Sequence, residues 1–321
     1  MRMKKTISCF LLNSIVFSAG AQTKWQKVDS LYQPLPSSVH VYKSTDSLEG
    51  KPNVMYYAVA DLKDKHLSFT TDTSYQRRLT PAQYYQKDSR PVLVVNCSFF
   101  SFATNQNLNL VIKDGKLISY NAGTIAAKGK DTLTYFHSFY GTLGISKKRE
   151  ADIAWTYTDS SQRFPFASEN PVHFFRDSIK KVSFKTIKQE TYPKAQFYKW
   201  EMQTAIGGGP VLVQNGKVRV TNNEERKFAG KAIKDRHPRT AIGYTKDHKI
   251  IVLVSEGRTE SAAGMTLIQL AETLKEIGCV EAVNLDGGGS SCMLINGKQT
   301  NSPSDKGFQR PVPSVFLIER N

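Results

Sequence analysis

The chain has 321 residues, 40% of them hydrophobic, and its 44 Lys and Arg against 28 Asp and Glu give a net charge of +16 at pH 7. This length fits one large domain or two, and four cysteines are too few for a disulfide scaffold. The excess positive charge favours anionic partners such as envelope polymers or phosphorylated sugars. It is spread along the chain rather than gathered in one arm or helix face, so we predict no nucleic-acid binding.

The N-terminus predicts export. Three basic side chains in residues 2–5 precede an apolar run at 7–17 and small residues up to Ala21, a pattern typical of a secretory signal cleaved after Ala21. The run is shorter than the roughly 20 residues of a membrane span, and no second such run follows, so we predict no transmembrane segment in the mature chain. Removing residues 1–21 lowers the net charge by three, to +13. The predicted location is the periplasm or the cell exterior.

The first part of the mature chain predicts a polar lead-in and the first strands, over residues 22–85. Aromatic and β-branched residues favour strands, and a Pro at its first turn favours a short helix over 79–86. An apolar run bounded by Pro91 and Asn96 predicts a buried central strand. The predicted strands here are 53–61, 66–70 and 90–96.

Three later segments each place Asp-Gly or Asn-Gly between two β-like arms, which is the strongest short-range signal for a hairpin. They lie at 110–118, 211–220 and 293–300. Their spacing is irregular, so they predict an antiparallel sheet and no solenoid. Residues 146–200 carry few patterns, and we interpret them as an insertion or a lid. Cys97, Cys279 and Cys292 fit either a Cys279–Cys292 bridge or buried free thiols.

The C-terminal third predicts strands at 240–244, 249–255, 280–285 and 311–319. Between the second and third lies the clearest helix, opened by a capping-box pair, Thr266 and Gln269, and ended by Gly278. The predicted fold class is therefore α+β, with largely antiparallel sheets, hairpins and a few helices. One β-α-β-like unit carries the site, within a predicted catalytic domain over 86–321.

Asp286 is the strongest candidate for a functional side chain. It stands between a predicted strand and the triplet Gly287–Gly289, where an acid has little packing purpose and glycines leave room for a ligand. Glu256 ends the strand one β-α step earlier. If the two strands are parallel neighbours, both carboxylates lie at one sheet edge.

Several loops at predicted strand ends supply candidate binding groups. Arg239 and Arg258 could bind a phosphate through two nitrogens, and either glycine triplet could offer amides to an anion. Local alternatives stay open: a tight connection at 207–209, a salt-bridged turn at 256–258 and a turn cap at Asn96. The candidate binding residues are Asn96, Arg239, Thr240, Arg258, Asn284, Gly208, Gly209, Gly287, Gly288, Gly289 and Ser290.

The common cofactor motifs are missing from the sequence. It contains no G-x-G-x-x-G, no P-loop and no H-E-x-x-H, so no cofactor is required. A single divalent cation such as calcium on Asp286 and carbonyl oxygens stays open. Ser290 lacks the second glycine of a G-x-S-x-G elbow, and a Ser290-dependent hydrolase is kept as an alternative.

Ordered blocks over roughly residues 90–321 resemble the phosphodiester glycosidase family. They are Asn284–Ser291, His237–Gly243, Glu256–Arg258, Gly208–Pro210, Pro303–Asp305 and Arg310–Val312. Two departures stand out. Glu256 replaces a frequent Asp, which keeps the charge, and Cys97-Ser98 replace a frequent Gly-Gly, which leaves the substrate open.

The resemblance implies hydrolysis of a sugar-1-phosphodiester at the glycosidic bond, releasing free sugar and a phosphomonoester. Asp286 or Glu256 would be the carboxylate at the anomeric carbon, with the other as base or orienting partner. Arg239 and Arg258 would hold phosphate, while polar side chains position hydroxyls or water: Asn96, Thr240, Asn284 and Ser290. The alternative from another class is a non-catalytic, basic protein that binds envelope carbohydrate or polymer.

Overall fold

The computed structural model describes residues 22–126, 134–137, 139–172, 174–178, 180, 182–190, 196–229 and 233–321. The predicted signal lies outside these residues. The α-helices are α1 Pro81–Lys87, α2 Phe184–Glu190, α3 Asn222–Glu225 and α4 Leu267–Ile277.

The strands in chain order are β1 Gln26–Lys27, β2 Val39–Ser44, β3 Met55–Asp61, β4 Leu67–Thr73, β5 Leu93–Asn96, β6 Val111–Lys113, β7 Lys116–Ser119, β8 Thr124–Ala126, β9 Tyr135–His137, β10 Tyr140–Ile145, β11 Ala151–Tyr157 and β12 Phe166–Ser168. They continue with β13 Phe175–Arg176, β14 Tyr198–Lys199, β15 Thr204–Gly207, β16 Val211–Gln214, β17 Lys217–Val218, β18 Arg239–Thr245, β19 Lys249–Ser255, β20 Cys279–Asn284, β21 Met293–Ile295, β22 Lys298–Gln299 and β23 Ser314–Arg320.

These strands form an eight-stranded sheet, β1-β2-β3-β19-β18-β20-β16-β17, and a seven-stranded sheet, β14-β12-β11-β10-β15-β6-β7. A five-stranded sheet, β22-β21-β5-β23-β4, and a three-stranded sheet, β13-β9-β8, complete the fold. The predicted α+β class with largely antiparallel sheets is confirmed. Strands from residues 22–85 pair with C-terminal strands, β3 with β19 and β4 with β23. In the stretch 146–200, β11 pairs with β10 in the interior of the seven-stranded sheet.

All three predicted hairpins are confirmed, as β6–β7, β16–β17 and β21–β22. Each turn places both central residues at positive φ, for example Asn296 at 47° and Gly297 at 76°. Tight two-residue hairpin turns require this backbone conformation, and Asn-Gly and Asp-Gly adopt it at low cost. The local sequence therefore determines the turns.

Helix α4 has the predicted ends: the Thr266 hydroxyl accepts from the Gln269 amide, and Gly278 caps the C-terminus at φ 107°. Its apolar side packs on the eight-stranded sheet, through residues such as Leu270 and Leu274. It joins β19 to β20, which run parallel, but β18 lies between them and is antiparallel to both. The two strands are thus not neighbours, although their carboxyl ends do lie at one sheet edge.

The largest hydrophobic cluster contains residues from three sheets, including Val41, Val95, Ile206 and Val283. The sheets therefore share one core, and the loops at their ends are held in fixed relative positions. Cys97, Cys279 and Cys292 are buried free thiols, so the bridge left open between Cys279 and Cys292 is not formed.

Candidate active site

The main chain of Asp286 is held where two sheets meet. Its amide donates to the Cys97 carbonyl (2.9 Å), and its carbonyl accepts from the Asn96 side chain (2.6 Å). On the other side, the Leu285 amide donates to the Thr240 carbonyl (2.8 Å). Since Asn96 belongs to the five-stranded sheet and Thr240 to the eight-stranded sheet, the position of Asp286 depends on both.

Asn96 and Thr240 form a buried support beneath Asp286, and both are 0% exposed. The Asn96 Oδ1 accepts from the Thr240 hydroxyl (3.0 Å) and from the Cys292 amide (3.1 Å). The Thr240 Oγ1 also lies 3.1 Å from the Ser291 Oγ. Both polar atoms of the Asn96 side chain therefore have protein partners, and these bonds position Asp286.

The Asp286 carboxyl lies near a buried hydroxyl and two cations. Burial raises its pKa to about 6, against the lowering effects of the Ser290 hydroxyl and of the charges of Arg310 and Lys227. The Ser290 hydroxyl is thus a close neighbour of the carboxyl, although among the described residues it lies outside hydrogen-bond geometry. A partly buried carboxyl with a strongly shifted pKa beside specific charges is typical of a functional site.

Lys227 supplies one of these cations from a largely aromatic pocket. Its ammonium lies 3.8 Å from the centre of the Phe99 ring and donates to the Asn109 Oδ1 (3.2 Å). Burial lowers its pKa to about 7, while the negative charges of Glu225 and Asp286 raise it. Its charge state thus changes near neutral pH.

Glu225 anchors the segment that carries Lys227 and is 0% exposed. Burial raises its pKa, and four donors satisfy the carboxylate: the Gly141 amide (3.0 Å), the Val211 amide (2.8 Å), the Trp155 indole (3.0 Å) and the Thr221 hydroxyl (2.7 Å). Gly209, at φ 107°, passes so close that a Cβ there would lie 2.3 Å from the Glu225 Oε2. This close approach explains the glycine at position 209.

Two guanidinium groups fill the room beside the glycines that follow Asp286. A Cβ on Gly288 would lie 3.3 Å from the Arg258 Nη1, and one on Gly289 would lie 2.1 Å from the Arg310 Nη2. Asp305 holds Arg310 through two bonds, at 2.8 and 2.9 Å. The space that we assigned to a ligand is therefore partly occupied by arginine side chains, because glycines allow them to approach the backbone.

The two arginines predicted to hold phosphate differ in their surroundings. Arg239 is 4% exposed, and its guanidinium donates to the carbonyls of Met265 (2.9 Å) and Asp235 (3.1 Å). Burial, together with the charge of Arg258, lowers its pKa to about 10. Arg258 is exposed and donates to the His237 Nδ1 (3.2 Å). Arg239 is thus held by main-chain carbonyls, whereas Arg258 faces solvent beside the glycine loop.

Glu256 lies at the same sheet edge as Asp286 but in different surroundings. Its amide donates to the Val54 carbonyl (2.9 Å), and its Oε1 accepts from the Ser302 amide (2.8 Å). Burial raises its pKa, while the Ser302 amide and the Lys43 charge lower it. The ends of β19 and β20 are two strand spacings apart, roughly 10 Å, so the main chains of Glu256 and Asp286 are separated by about that distance. Through its bond to the Ser302 amide, Glu256 holds the start of the loop that carries Arg310.

Asn284 and the first glycine triplet form a tight connection. The Asn284 Nδ2 donates to the carbonyls of Gly209 (3.0 Å) and Leu285 (2.9 Å), and a Cβ on Gly208 would lie 2.2 Å from the Asn284 carbonyl oxygen. The buried Asn284 Oδ1 has no hydrogen-bond partner among the described residues.

Sequence reasoning did not select three residues of this site: Glu225, Lys227 and Arg310. Arg310 lies in a block that carries the family resemblance, so its position in that block was the available signal. Glu225 and Lys227 follow a hairpin in a polar stretch without periodicity, and nothing local marks them.

Among the described residues, no three His, Cys, Asp or Glu side chains are grouped so that they could hold a metal ion. The hypothesis of a single cation on Asp286 is untested and stays a prediction. In the same residues, no helix is long and apolar enough to cross a membrane.

Comparisons with known proteins agree with the predicted family and with the observed fold. The model of the family described as phosphodiester glycosidase matches residues 89–319. N-acetylglucosamine-1-phosphodiester alpha-N-acetylglucosaminidase of Mus musculus is 25% identical over 211 residues, which are 65% of this chain and 33% of that protein. The Homo sapiens protein of the same name is 33% identical over 108 residues, or 31% of this chain and 21% of that protein. The matches thus span about a third or less of these relatives.

Solved structures share the fold. The catalytic domain of the zebrafish N-acetylglucosamine-1-phosphodiester alpha-N-acetylglucosaminidase aligns with a TM-score of 0.62 at 19% identity, over 94% of this chain and 89% of that one. A hypothetical protein from Synechocystis aligns with a TM-score of 0.62 at 15% identity, over 93% of this chain and 64% of that one.

The family match and the shared fold define the class of protein, a domain of the phosphodiester glycosidase type. The match covers well over half of the sequence, and the chain belongs to the phosphodiester glycosidase family.

Proposed function

We propose that this protein hydrolyses a sugar-1-phosphodiester between the anomeric carbon and the phosphate oxygen, releasing free sugar and a phosphomonoester. The observation that carries the proposal is Asp286, whose main chain is held by two sheets and whose carboxyl lies near the charges of Arg310 and Lys227. A phosphodiester is an anion, so these cations favour its binding. An anionic envelope glycan is the substrate class that the charge of the chain favours.

Asp286 would act at the anomeric carbon. As the glycosidic bond breaks, positive charge develops on the sugar, and a carboxylate beside it stabilises the transition state as nucleophile or counter-charge. The water oxygen joins the anomeric carbon, its released proton passes to the solvent, and the electron pair of the broken bond leaves with the phosphate. Because the second pKa of a phosphate monoester is about 6, this leaving group departs without strong acid catalysis.

The cations would act on the leaving phosphate. Arg310 and Arg258 lie on successive glycines of the loop after Asp286, where they can stabilise the growing negative charge. The Asn284 Oδ1 and the Ser290 hydroxyl, both buried without hydrogen-bond partners among the described residues, would contact sugar hydroxyls or water. Asn96, Thr240 and Arg239 would support the site from beneath. Export, proposed from the N-terminal pattern, would place the enzyme at the envelope.

The test is sugar release from an N-acetylglucosamine-1-phosphodiester in ¹⁸O-labelled water. Cleavage at the glycosidic bond places the label in the sugar, whereas label in the phosphate would show attack at phosphorus and contradict the proposal. Asp286→Asn should lower turnover by at least about 10³-fold. Asp114→Asn, a charge-matched change at an exposed hairpin tip, should leave turnover unchanged.

Two outcomes would favour the alternatives. Binding of the diester without turnover, weakened by salt, would indicate a carbohydrate-binding protein. Labelling of Ser290 by a fluorophosphonate, with loss of activity in Ser290→Ala alone, would indicate a serine hydrolase.

A further inference from the structure

A second group of cationic and aromatic side chains lies beside Arg310, in and near the loop after β5. Phe102 is 61% exposed, and its ring centre lies 4.7 Å from that of Phe100. Two guanidinium groups face the same ring, with carbon-to-centre distances of 5.2 Å for Arg78 and 5.5 Å for Arg310. The proposed mechanism uses neither Phe102 nor Arg78.

The two arginines differ in their charge balance. Asp305 forms an ion pair with Arg310 through two hydrogen bonds. Arg78 makes no ion pair within the part of the chain that the structure describes, and it rests on the rings of Phe100 and Phe102. A guanidinium stacked on an aromatic ring keeps its edge free for an anion. Arg78 is therefore a positive charge that still lacks a partner.

The spacing of the two groups fits one small ligand. Both guanidinium carbons lie within 5.5 Å of the Phe102 ring centre, so at most about twice that distance separates them. Arg310 also reaches the glycine loop after Asp286, because a Cβ on Gly289 would meet its Nη2. A molecule whose phosphate lies at Arg310 can thus extend over Phe102 to Arg78.

We propose that Arg78, Phe102 and Arg310 form a subsite for the leaving group, and that this leaving group carries a second anionic group beyond the scissile phosphodiester. The proposal rests on the proposed function, which places the scissile phosphate at Arg310. Arg78 binds the second anion, and the exposed ring of Phe102 contacts the carbon chain between the two. The preferred substrates are then sugar phosphodiesters of an alcohol that itself carries a phosphate or carboxylate.

Calorimetric binding of two product analogues tests the subsite without turnover. The probes are ethyl phosphate and the bisphosphate of ethane-1,2-diol, titrated into the full chain at low salt, where charge effects are least screened. We expect the bisphosphate to bind about tenfold more tightly, the effect of one additional charge-assisted hydrogen bond. Arg78→Gln should remove this preference, and Arg78→Lys, which keeps the charge, should retain part of it.

Arg77→Gln is the matched control, because Arg77 is the exposed preceding residue and the change in net charge is the same. It should leave the preference intact. Equal affinity of the wild type for both probes, or equal loss in Arg77→Gln and Arg78→Gln, would overturn the subsite. Sugar release from the two corresponding diesters is scored separately. Turnover without a binding preference overturns only the subsite. A preference without turnover overturns the proposed function and the leaving-group assignment that rests on it, and leaves a site for two anions.

Discussion

Replacing Asp286 by Asn should stabilise the folded protein while it removes activity. Burial raises the pKa of this carboxyl from 3.8 to about 6, so the folded environment disfavours the charged form by about two pKa units. At about 1.36 kcal/mol per unit, the upper limit is roughly 3 kcal/mol. Because solvent reaches part of the side chain, we expect a gain of roughly 1–3 kcal/mol at pH 8.

The gain should depend on pH in a defined direction. Since the folded pKa of Asp286 lies above the unfolded value, the unfolded chain releases its proton first as the pH rises. The wild type therefore loses stability relative to the Asn variant between about pH 4 and pH 6. The difference in unfolding free energy should be small at pH 4 and complete above pH 7.

Urea unfolding of both proteins at pH 4, 5, 6 and 8 measures this difference. Asp114→Asn is the control, because Asp114 is exposed at the tip of the β6–β7 hairpin, where Asn suits the turn equally well. It should change stability little at any pH. If Asp286→Asn were destabilising at pH 8, or if its gain were the same at every pH, the carboxyl would not be under the burial penalty that we assign to it.

Two further substitutions test the supporting parts of the site. Gly209→Ala should cost at least about 3 kcal/mol of unfolding free energy, because Gly209 has a φ of 107° and the new Cβ would lie 2.3 Å from the Glu225 Oε2. Gly216→Ala is the control: its φ is 69° and no atom lies within 4 Å of the new Cβ, so it should cost only about 1 kcal/mol. Equal costs would contradict the role of the Glu225 contact. In the wild type, we expect activity to fall above about pH 7, because the Lys227 ammonium, with its pKa of about 7, loses its proton there. Lys227→Met should lower sugar release about 10²-fold or more and remove this alkaline fall. Lys217→Met, on an exposed strand, should keep both the rate and the alkaline fall, and an unchanged pH profile in Lys227→Met would exclude this lysine from the mechanism.

The features that the sequence predicts correctly are set by local interactions. A hairpin turn of this kind needs two adjacent residues at positive φ, and the dipeptide Asn296-Gly297 meets this need by itself. The ends of α4 are likewise set by Thr266 and by Gly278 within one turn each. Such features depend on neighbours in the chain, so they are visible without the fold.

The arrangement of the site depends on distant contacts and was only partly predictable. The hydrogen bond between the Asn96 side chain and the Asp286 carbonyl joins residues 190 positions apart, and no local sequence pattern predicts it. The insertion of β18 between β19 and β20 is a choice of strand pairing, which the β-α-β pattern alone does not determine. Lys227 approaches Asp286 only because the buried Glu225 fixes its segment against two sheets. Its position beside Asp286 therefore follows from tertiary structure alone.

A single carboxylate beside two cations suits a phosphate leaving group better than an alkoxide. Most glycosidases that expel an alkoxide use two carboxyl groups, since one must protonate the poor leaving group. Here Glu256 is held by the Ser302 amide in its own surroundings, and Arg310 and Lys227 are the charged groups that act on Asp286. In the proposed mechanism these cations replace the second carboxyl. A phosphate leaving group, with a second pKa of about 6, departs with the help of the cations alone, whereas an alkoxide would also need a proton. In the proposed mechanism, the site would therefore favour a phosphodiester through its reaction chemistry as well as through binding.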